Sequence, residues 1–170
     1  ERLSLPSHRL MGGTKGSHFL TFHSRLAELL AGQGVYTEAR DGRPVFLLPF
    51  GEGTLVGTTD IPFEGDPASA VATDAELEYL LAVVRDVFPD AGLTRANIAM
   101  HQCGVRPLPF VDAQTPAAIT RRHQLVWNDA SPVPLLSLVG GKLTTCRSLA
   151  EETAAAVLAR LGKRLVANSR

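Results

Sequence analysis

The chain has 170 residues, 45% of them hydrophobic, and its 17 Lys and Arg residues balance its 17 Asp and Glu residues. A chain of this length buries enough surface to form a core without disulfides, as one domain or two small ones. Zero net charge argues against nucleic acid as a partner, because no broad positive surface offsets phosphate repulsion. The two cysteines form no C-x-x-C pair, so neither a disulfide framework nor a four-ligand zinc site is expected.

Neither a membrane-spanning helix nor a signal peptide is predicted from the sequence. The longest apolar runs, at residues 45–50 and 135–139, are far shorter than the about 20 residues that span a bilayer. The sparse use of cysteine favours a reducing compartment. The chain starts at Glu1 rather than at a methionine, which we interpret as an excerpt from a longer protein.

The first half of the chain is predicted to fold as an antiparallel meander. Alternating apolar or β-branched composition predicts strands at residues 17–22, 35–39, 45–50 and 54–59. The Asp-Gly pair at 41–42 suits a tight hairpin, and Gly-Glu-Gly at 51–53 suits the next turn. A two-turn helix is predicted at residues 24–30.

The second half combines a helix, further strands and a final helix. A loop rich in Pro, Gly and Asp at residues 62–72 precedes a capping box that runs from Thr73 to Glu76. Strands are predicted at residues 98–105, 124–127 and 135–139, the last of them buried. The final helix carries an apolar stripe of Leu149, Thr153, Val157 and Leu161. Together these elements predict an α+β fold, with a mixed, largely antiparallel sheet and flanking helices.

The junction before the final helix has the composition of an anion site, Gly140-Gly141-Lys142-Leu143-Thr144-Thr145. Unpaired N–H groups at the helix start and the charge of Lys142 attract anions, and the two glycines let a ligand approach the backbone. The same residues equally fit an ordinary turn and a helix capped by a threonine. The P-loop pattern is excluded, because Leu136 stands where that pattern requires glycine.

Two arginines and one histidine are further candidates for chemistry. Arg106 precedes Pro107, which biases it towards an extended backbone, and Arg121 starts a predicted strand. Two forked guanidinium groups placed this way suit one dianion, although ordinary salt bridges are the alternative. His18 titrates near neutrality, so it is either a base or a hydrogen-bonded core residue. No metal site is expected, since the His-x-Cys pattern at 101–103 lacks further ligands.

Taken in order, five motifs are more specific than any of them alone. They are Gly16-Ser17-His18, Leu55-Val56-Gly57-Thr58-Thr59-Asp60, Gly104-Val105-Arg106-Pro107-Leu108, Ile119-Thr120-Arg121 and Gly140-Gly141-Lys142-Leu143-Thr144-Thr145. In this order they resemble the FAD-dependent glycerol-3-phosphate dehydrogenases. The resemblance runs from about Lys15 to about Leu158 and so covers most of the chain.

The resemblance implies a flavin oxidoreductase with two domains, in which a mixed-sheet substrate domain lies over a flavin held by a dinucleotide-binding domain. Residues 1–130 are then the substrate-binding domain, and residues 131–170 are a strand and helix of the FAD-binding domain. Members of this family oxidise sn-glycerol 3-phosphate to dihydroxyacetone phosphate by hydride transfer to flavin. The implied cofactor is FAD, the substrate is a small phosphorylated polyol, and the electron acceptor is quinone or oxygen.

The resemblance also implies roles for single residues. Arg106 binds the substrate beside the flavin, Arg121 helps to hold its phosphate, and Lys142 reaches its oxygens. His18 is the candidate for taking the hydroxyl proton as hydride leaves, and Thr59 shapes the substrate pocket. The implied cofactor contacts lie in the junction, at Gly140, Gly141, Lys142, Leu143, Thr144 and Thr145.

Two departures from the family pattern qualify this expectation. Cys146 stands where tyrosine is usual, and no G-x-G-x-x-G segment is present to hold the ADP half of FAD. We therefore expect a fragment that lacks the N-terminal dinucleotide-binding segment and is inactive in isolation. The alternatives are a related flavin amine or amino-acid oxidase and a non-catalytic anion-binding module. The family implies a cytoplasmic location, with peripheral association of the parent enzyme at the inner face of the cell membrane.

Overall fold

A computed structural model gives the fold of residues 9–110 and 122–164. These residues belong to two units, of which the first is Thr14–Arg106 and the second comprises the described residues outside that range. The strands are β1 (Met11–Thr21), β2 (Val35–Glu38), β3 (Pro44–Phe50), β4 (Gly53–Gly57), β5 (Ile61–Pro62), β6 (Ile98–Pro109), β7 (Gln124–Asn128) and β8 (Leu135–Val139). The helices are α1 (Ser24–Leu30), α2 (Asp74–Val87) and α3 (Cys146–Arg160).

Six of the strands form one sheet around β1. Strand β1 pairs with β4, β5 and β6, and the order from the far edge is β2-β3-β4-β1. The pairs β2–β3, β3–β4, β1–β4 and β1–β5 are antiparallel. Gly42 and Gly51 have φ of 78° and 57° and make the turns before and after β3, a conformation that favours glycine. The predicted meander and the α+β class are thus confirmed.

Helices α1 and α2 pack on one face of this sheet and enclose the core. Buried side chains of the strands, such as Phe19 and Val56, meet Leu26 of α1 and Leu80 of α2 in one cluster. Both helices were predicted, and α2 begins with the predicted capping box between Thr73 and Glu76. Strand β6 runs further than predicted, since its extended backbone continues through residues 106–109.

The opposite face of the sheet, which we call the outer face, carries the alternate residues of each strand. Successive side chains of a strand point to opposite faces of the sheet. Phe19 and Val56 are both buried and pair with each other, so they identify the core side. The registers then place one set of residues on the outer face: Gly16, His18, Leu20, Tyr36, Phe46, Leu48, Phe50, Leu55 and Gly57. Large apolar side chains here remain exposed, with Phe50 at 60% and Leu48 at 40%.

In the second unit, β7 and β8 form an antiparallel hairpin and α3 follows it. Arg160 of α3 bonds Asp129 at 2.7 Å, and Glu152 lies 2.9 Å from the ring of His123. Because β7 and β8 pair across residue 130, the hairpin spans the proposed boundary between residues 1–130 and 131–170. The functional assignment of those two ranges stays a prediction.

One prediction about burial in the second unit was wrong, and the final helix is more exposed than the rest of the fold. Strand β8 is only partly buried, with Leu138 49% exposed, and α3 has no buried residue. Its apolar stripe ends in Leu161, which is 64% exposed. Helical periodicity shows which face of a helix is apolar, but the burial of that face depends on what packs against it. Along the stripe, Leu149 and Thr153 are partly buried, whereas Val157 is 37% exposed.

Candidate functional site

The guanidinium of Arg106 is held by acceptors from two neighbouring segments. Its Nη2 donates to Thr58 Oγ1 at 2.9 Å and to the Thr59 carbonyl at 3.2 Å, and its Nη1 donates to Asp60 Oδ1 at 3.0 Å. Thr14 Oγ1 lies 3.5 Å from Nη1. The extended backbone before a proline aims the side chain at these partners. Arg106 therefore has a fixed orientation while its side chain stays 25% exposed.

Gly16 on β1 leaves the space that the guanidinium of Arg106 occupies. A Cβ atom at Gly16 would overlap Nη2 and lie 2.6 Å from both Nη1 and Thr58 Oγ1. The charged plane thus rests directly on the backbone of β1, on the outer face. The glycine of Gly16-Ser17-His18 is required by this close approach, because any side chain would displace the guanidinium.

His18 is the next residue of β1 on the same face as the Arg106 guanidinium. Its ring lies over Gly57, where an added Cβ would overlap the imidazole. Partial burial and then the positive charge of Arg106 lower the pKa of His18 below its ordinary value of 6.5. The side chain is therefore neutral at neutral pH and is able to accept a proton.

A mainly apolar cavity of about 160 Å³ adjoins His18 on the outer face. The strands supply its walls, among them Leu20 and Phe50 from the meander and Met100 and Gln102 from β6. An ionic centre at Arg106 and Asp60 thus lies beside an apolar surface. Such an arrangement suits a ligand with a charged or hydroxylated part and a flat apolar part.

Thr59 is placed differently from its neighbours. Its exposed fraction is 2%, and its hydroxyl accepts from the Ser17 N–H at 2.8 Å and donates to Glu76 at 2.9 Å. The side chain lies on the core side of the sheet, and only the carbonyl reaches Arg106. The hydroxyl of Thr59 is therefore directed away from the outer face, and Thr59 acts on that face only through its carbonyl contact with Arg106.

The sequence reasoning missed Glu76 and Lys15 as parts of the site. Lys15 and Glu76 form an ion pair at 2.8 Å with both side chains about 5% exposed, and Ser17 donates to Glu76 at 2.8 Å. Glu76 was predicted only as half of a capping box. The sequence contained a signal for its burial. Glu76 precedes the apolar Leu80 by four residues, so both side chains lie on the same, apolar face of α2.

The junction of Gly140 to Thr145 lies in the second unit, and its two glycines have positive φ of 76° and 94°. Gly140 also packs closely on Pro109, 3.0 Å from the position of a Cβ. Lys142 and Leu143 are exposed, Leu143 to 90%. Both glycines are thus needed for the path of the chain, and the segment after them is accessible.

The predicted threonine cap of α3 is not formed. Thr145 precedes the helix, but its hydroxyl accepts from the N–H of Lys142 and donates to the carbonyl of Lys142, each at 3.1 Å. The reason is that a short 3₁₀ turn at residues 143–145 occupies the place of a capping loop. No side chain caps the N-terminus of α3, and the N–H of its first residue, Cys146, donates to the Leu143 carbonyl of that turn.

Arg121, the second predicted anion ligand, lies outside the described residues. Within residues 9–110 and 122–164, no three His, Cys, Asp or Glu residues cluster as metal ligands. In the same ranges no helix combines the length and hydropathy that crossing a membrane requires.

Comparisons with known proteins agree with the motif resemblance. A family model described as FAD dependent oxidoreductase (DAO) matches residues 2–147. A glycerol-3-phosphate dehydrogenase of Synechocystis sp. is 40% identical over 156 residues, which cover 89% of this chain and 27% of that protein. An aerobic glycerol-3-phosphate dehydrogenase of Escherichia coli is 36% identical over 151 residues, covering 88% of this chain and 29% of that protein.

A solved structure of similar fold is that of a glycerol-3-phosphate dehydrogenase from Bacillus halodurans complexed with FAD. The TM-score is 0.73 at 32% identity, and the match covers 90% of this chain and 28% of that one. The chain thus spans little more than a quarter of the length of these relatives. Since the family model covers most of the chain, the chain belongs to the FAD dependent oxidoreductase family.

Proposed function

We propose that this chain forms the substrate-binding portion of an FAD-dependent glycerol-3-phosphate dehydrogenase. The observation that carries the proposal is the pairing of a fixed, partly exposed Arg106 with a neutral His18 on one face of the sheet. The reaction removes a proton from a secondary hydroxyl and a hydride from its carbon. It therefore needs a base and a positive charge at the same oxygen.

Arg106 supplies that positive charge. An arginine remains protonated at any physiological pH, and its planar group binds oxygen atoms in a defined direction. In the proposed complex, Arg106 attracts the oxygen of the reacting hydroxyl, on which negative charge develops as the proton departs. The contacts to Thr58 and Asp60 keep the guanidinium from turning away.

His18 is the proposed base. The O–H bond of the substrate breaks, the proton passes to the imidazole, and the oxygen electron pair forms the C=O bond while the C–H electron pair leaves as hydride. A pKa below 6.5 keeps His18 unprotonated before the step. When bound, FAD supplies the acceptor for that hydride.

The residues present fit FAD in two places. The apolar outer face beside His18 suits a flat ring system, and the junction after β8 exposes backbone that only glycines allow at Gly140 and Gly141. The proposed cofactor contacts are the six junction residues Gly140, Gly141, Lys142, Leu143, Thr144 and Thr145. Lys142 would also bind oxygens of the substrate.

The proposed substrate is sn-glycerol 3-phosphate, as the names of the relatives indicate. Arg121 is the proposed phosphate ligand, and Lys142 adds a second cation. The electron acceptor is proposed to be quinone or oxygen. A quinone acceptor would bring the parent enzyme to the inner face of the cell membrane as a peripheral, otherwise cytoplasmic, protein.

A chimera tests the proposal directly. This chain replaces the matched segment of the Synechocystis relative, and the bleaching of the flavin absorbance is followed after anaerobic addition of sn-glycerol 3-phosphate. We expect bleaching, and we expect Arg106→Lys to lower kcat/KM by about 100-fold, the usual effect of removing one charge-stabilising donor. The control is Arg25→Lys, which alters an exposed ion pair on α1 and is expected to keep the activity.

The alternatives give different results in the same chimera. Bleaching by sarcosine or D-alanine but not by glycerol 3-phosphate would identify an amine or amino-acid oxidase. Binding of glycerol 3-phosphate without bleaching would identify an anion-binding module. Reoxidation by a soluble quinone analogue, compared with reoxidation by oxygen, distinguishes the two electron acceptors.

A further inference from the structure

Glu76 has more hydrogen-bond donors around it than a capping box requires. In a capping box the carboxylate needs only the backbone N–H of the cap residue, here Thr73 at 2.9 Å. Glu76 also accepts from the Thr73 hydroxyl at 2.8 Å, from Ser17 at 2.8 Å and from Thr59 at 2.9 Å, and it pairs with Lys15 at 2.8 Å. These contacts join α2 to β1 and to the segment after β4.

The hydrogen bonds continue from Glu76 through the sheet to Arg106. Glu76 and Ser17 hold the hydroxyl of Thr59 from both sides, and the Thr59 N–H donates to the Ser17 carbonyl at 3.2 Å. The carbonyl of the same Thr59 accepts from Arg106 Nη2 at 3.2 Å and from the Thr58 hydroxyl at 3.0 Å. Thr59 is thus fixed on the core side and orients the guanidinium on the outer side.

The charges of the Glu76 network are balanced within the core. Lys15 contacts both Glu76 and the Val71 carbonyl, the latter at 2.6 Å. A buried ion pair adds little net stability, whereas it fixes the geometry of the groups that it joins when they are fully hydrogen-bonded. Because the Lys15–Glu76 ion pair lies on the core side of the sheet, beneath Arg106, we interpret it as fixing the position of the groups that contact Arg106.

We propose that Glu76 is a positioning residue, which holds Thr59 from the core side and thereby orients the guanidinium of Arg106 towards the substrate. The role in catalysis rests on the proposed function, whereas the effect on Arg106 does not. Glu76 itself touches neither substrate nor cofactor in this proposal. It acts through one hydroxyl and one carbonyl of Thr59.

The first test uses the 170-residue chain and NMR of the Arg106 side chain. A guanidinium held on several acceptors rotates slowly, so its Nη–H signals are resolved. We expect these signals to merge in Glu76→Gln and in Thr59→Val. The second variant replaces the Thr59 hydroxyl by a methyl group of similar size. The control is Val84→Ala, because Val84 is a buried residue of α2 outside the network. It destabilises the same helix and is expected to leave the signals resolved.

The second test measures kinetics in the chimera with sn-glycerol 3-phosphate. We expect Glu76→Gln and Thr59→Val to lower kcat/KM by about tenfold. Val84→Ala should leave kcat and KM within about twofold of the wild-type values. Resolved Arg106 signals in Thr59→Val, or equal kinetic losses in Val84→Ala, would overturn the positioning role. A chimera without glycerol 3-phosphate activity refutes the proposed function alone, since the NMR comparison still decides the role of Glu76.

Discussion

Gly16 and Arg106 depend on each other at the level of single residues. The guanidinium occupies the volume that a Cβ at Gly16 would need. A Cβ added at Gly104, on β6, would meet no neighbouring atom within 4 Å. Neither glycine has a positive φ, so an alanine adds a methyl group without backbone strain. The two positions therefore separate a steric effect on the site from the general effect of replacing glycine.

Replacing Gly16 by alanine is expected to displace Arg106 and abolish most of the proposed activity. The added methyl group overlaps Nη2, and the side chain must give up its contacts with Thr58 and Asp60. We expect a loss of kcat/KM of about 100-fold in the chimera, comparable to that expected for Arg106→Lys. Gly104→Ala is the matched control and should retain activity. Equal activities of the two variants would contradict this view of the site.

Some residues of the candidate site were predictable from local sequence and others were not. Arg106 and His18 were identifiable because the direction of each side chain follows from neighbouring residues. The proline after Arg106 favours an extended backbone, and strand alternation places His18 on the same face as Gly16. Whether Thr59 points inwards was not predictable, because it follows the end of β4 at Gly57, where strand alternation no longer applies. Its burial depends on Glu76, which lies 17 residues further along the chain.

At the level of elements, α2 links the stability of the fold to the state of one carboxyl group. Burial by itself raises the pKa of Glu76, but hydrogen bonds from Lys15, Thr73 and Ser17 outweigh it and hold the pKa at about 2. Because this value lies below the ordinary 4.5, the folded state prefers the ionised form. The resulting stabilisation is complete above about pH 4.5 and is lost as the pH falls towards 2.

Acid titration of the free energy of unfolding measures this contribution. Between pH 6 and pH 3, ionisation of Glu76 should account for about 2 kcal/mol of the loss in the free energy of unfolding. The figure follows from the about 1.5 units between its ordinary pKa of 4.5 and pH 3. We expect the loss over this interval to be smaller by that amount in Glu76→Gln, as measured by urea unfolding. Glu28→Gln, an exposed carboxyl in an ion pair on α1, should keep the wild-type dependence. An unchanged dependence in Glu76→Gln would refute the shifted pKa.

The elements themselves were more predictable than their partners. Apolar periodicity and the capping box located α2 because both signals lie within one stretch of chain. The contacts of Glu76 with Lys15 and Ser17 bridge about sixty residues and follow only from the pairing of strands. Helix α3 shows the same limit, since its apolar stripe was evident but its burial was not.

At the level of the whole molecule, the sheet has one covered face and one exposed face. The core side is closed by α1 and α2, whereas the outer face leaves Phe50 exposed to 60% and Leu48 to 40%. A soluble protein rarely leaves a continuous apolar surface of several hundred Å² uncovered, and such surfaces are usually binding sites. This exposure agrees with a sheet that lies over a flat cofactor.

The exposed outer face should be detectable in the isolated chain by binding of the apolar dye ANS. We expect Phe50→Ser to lower the bound dye fluorescence. Val71→Ser should leave it nearly unchanged, although Val71 is 67% exposed, because its loop contacts Lys15 on the core side of the sheet and not the outer face. Both variants should keep the free energy of unfolding within about 0.5 kcal/mol, since neither side chain is buried. In the chimera, Phe50→Ser should also weaken retention of FAD, whereas Val71→Ser should not. Equal dye binding by both variants would show that the outer face is not one continuous apolar surface.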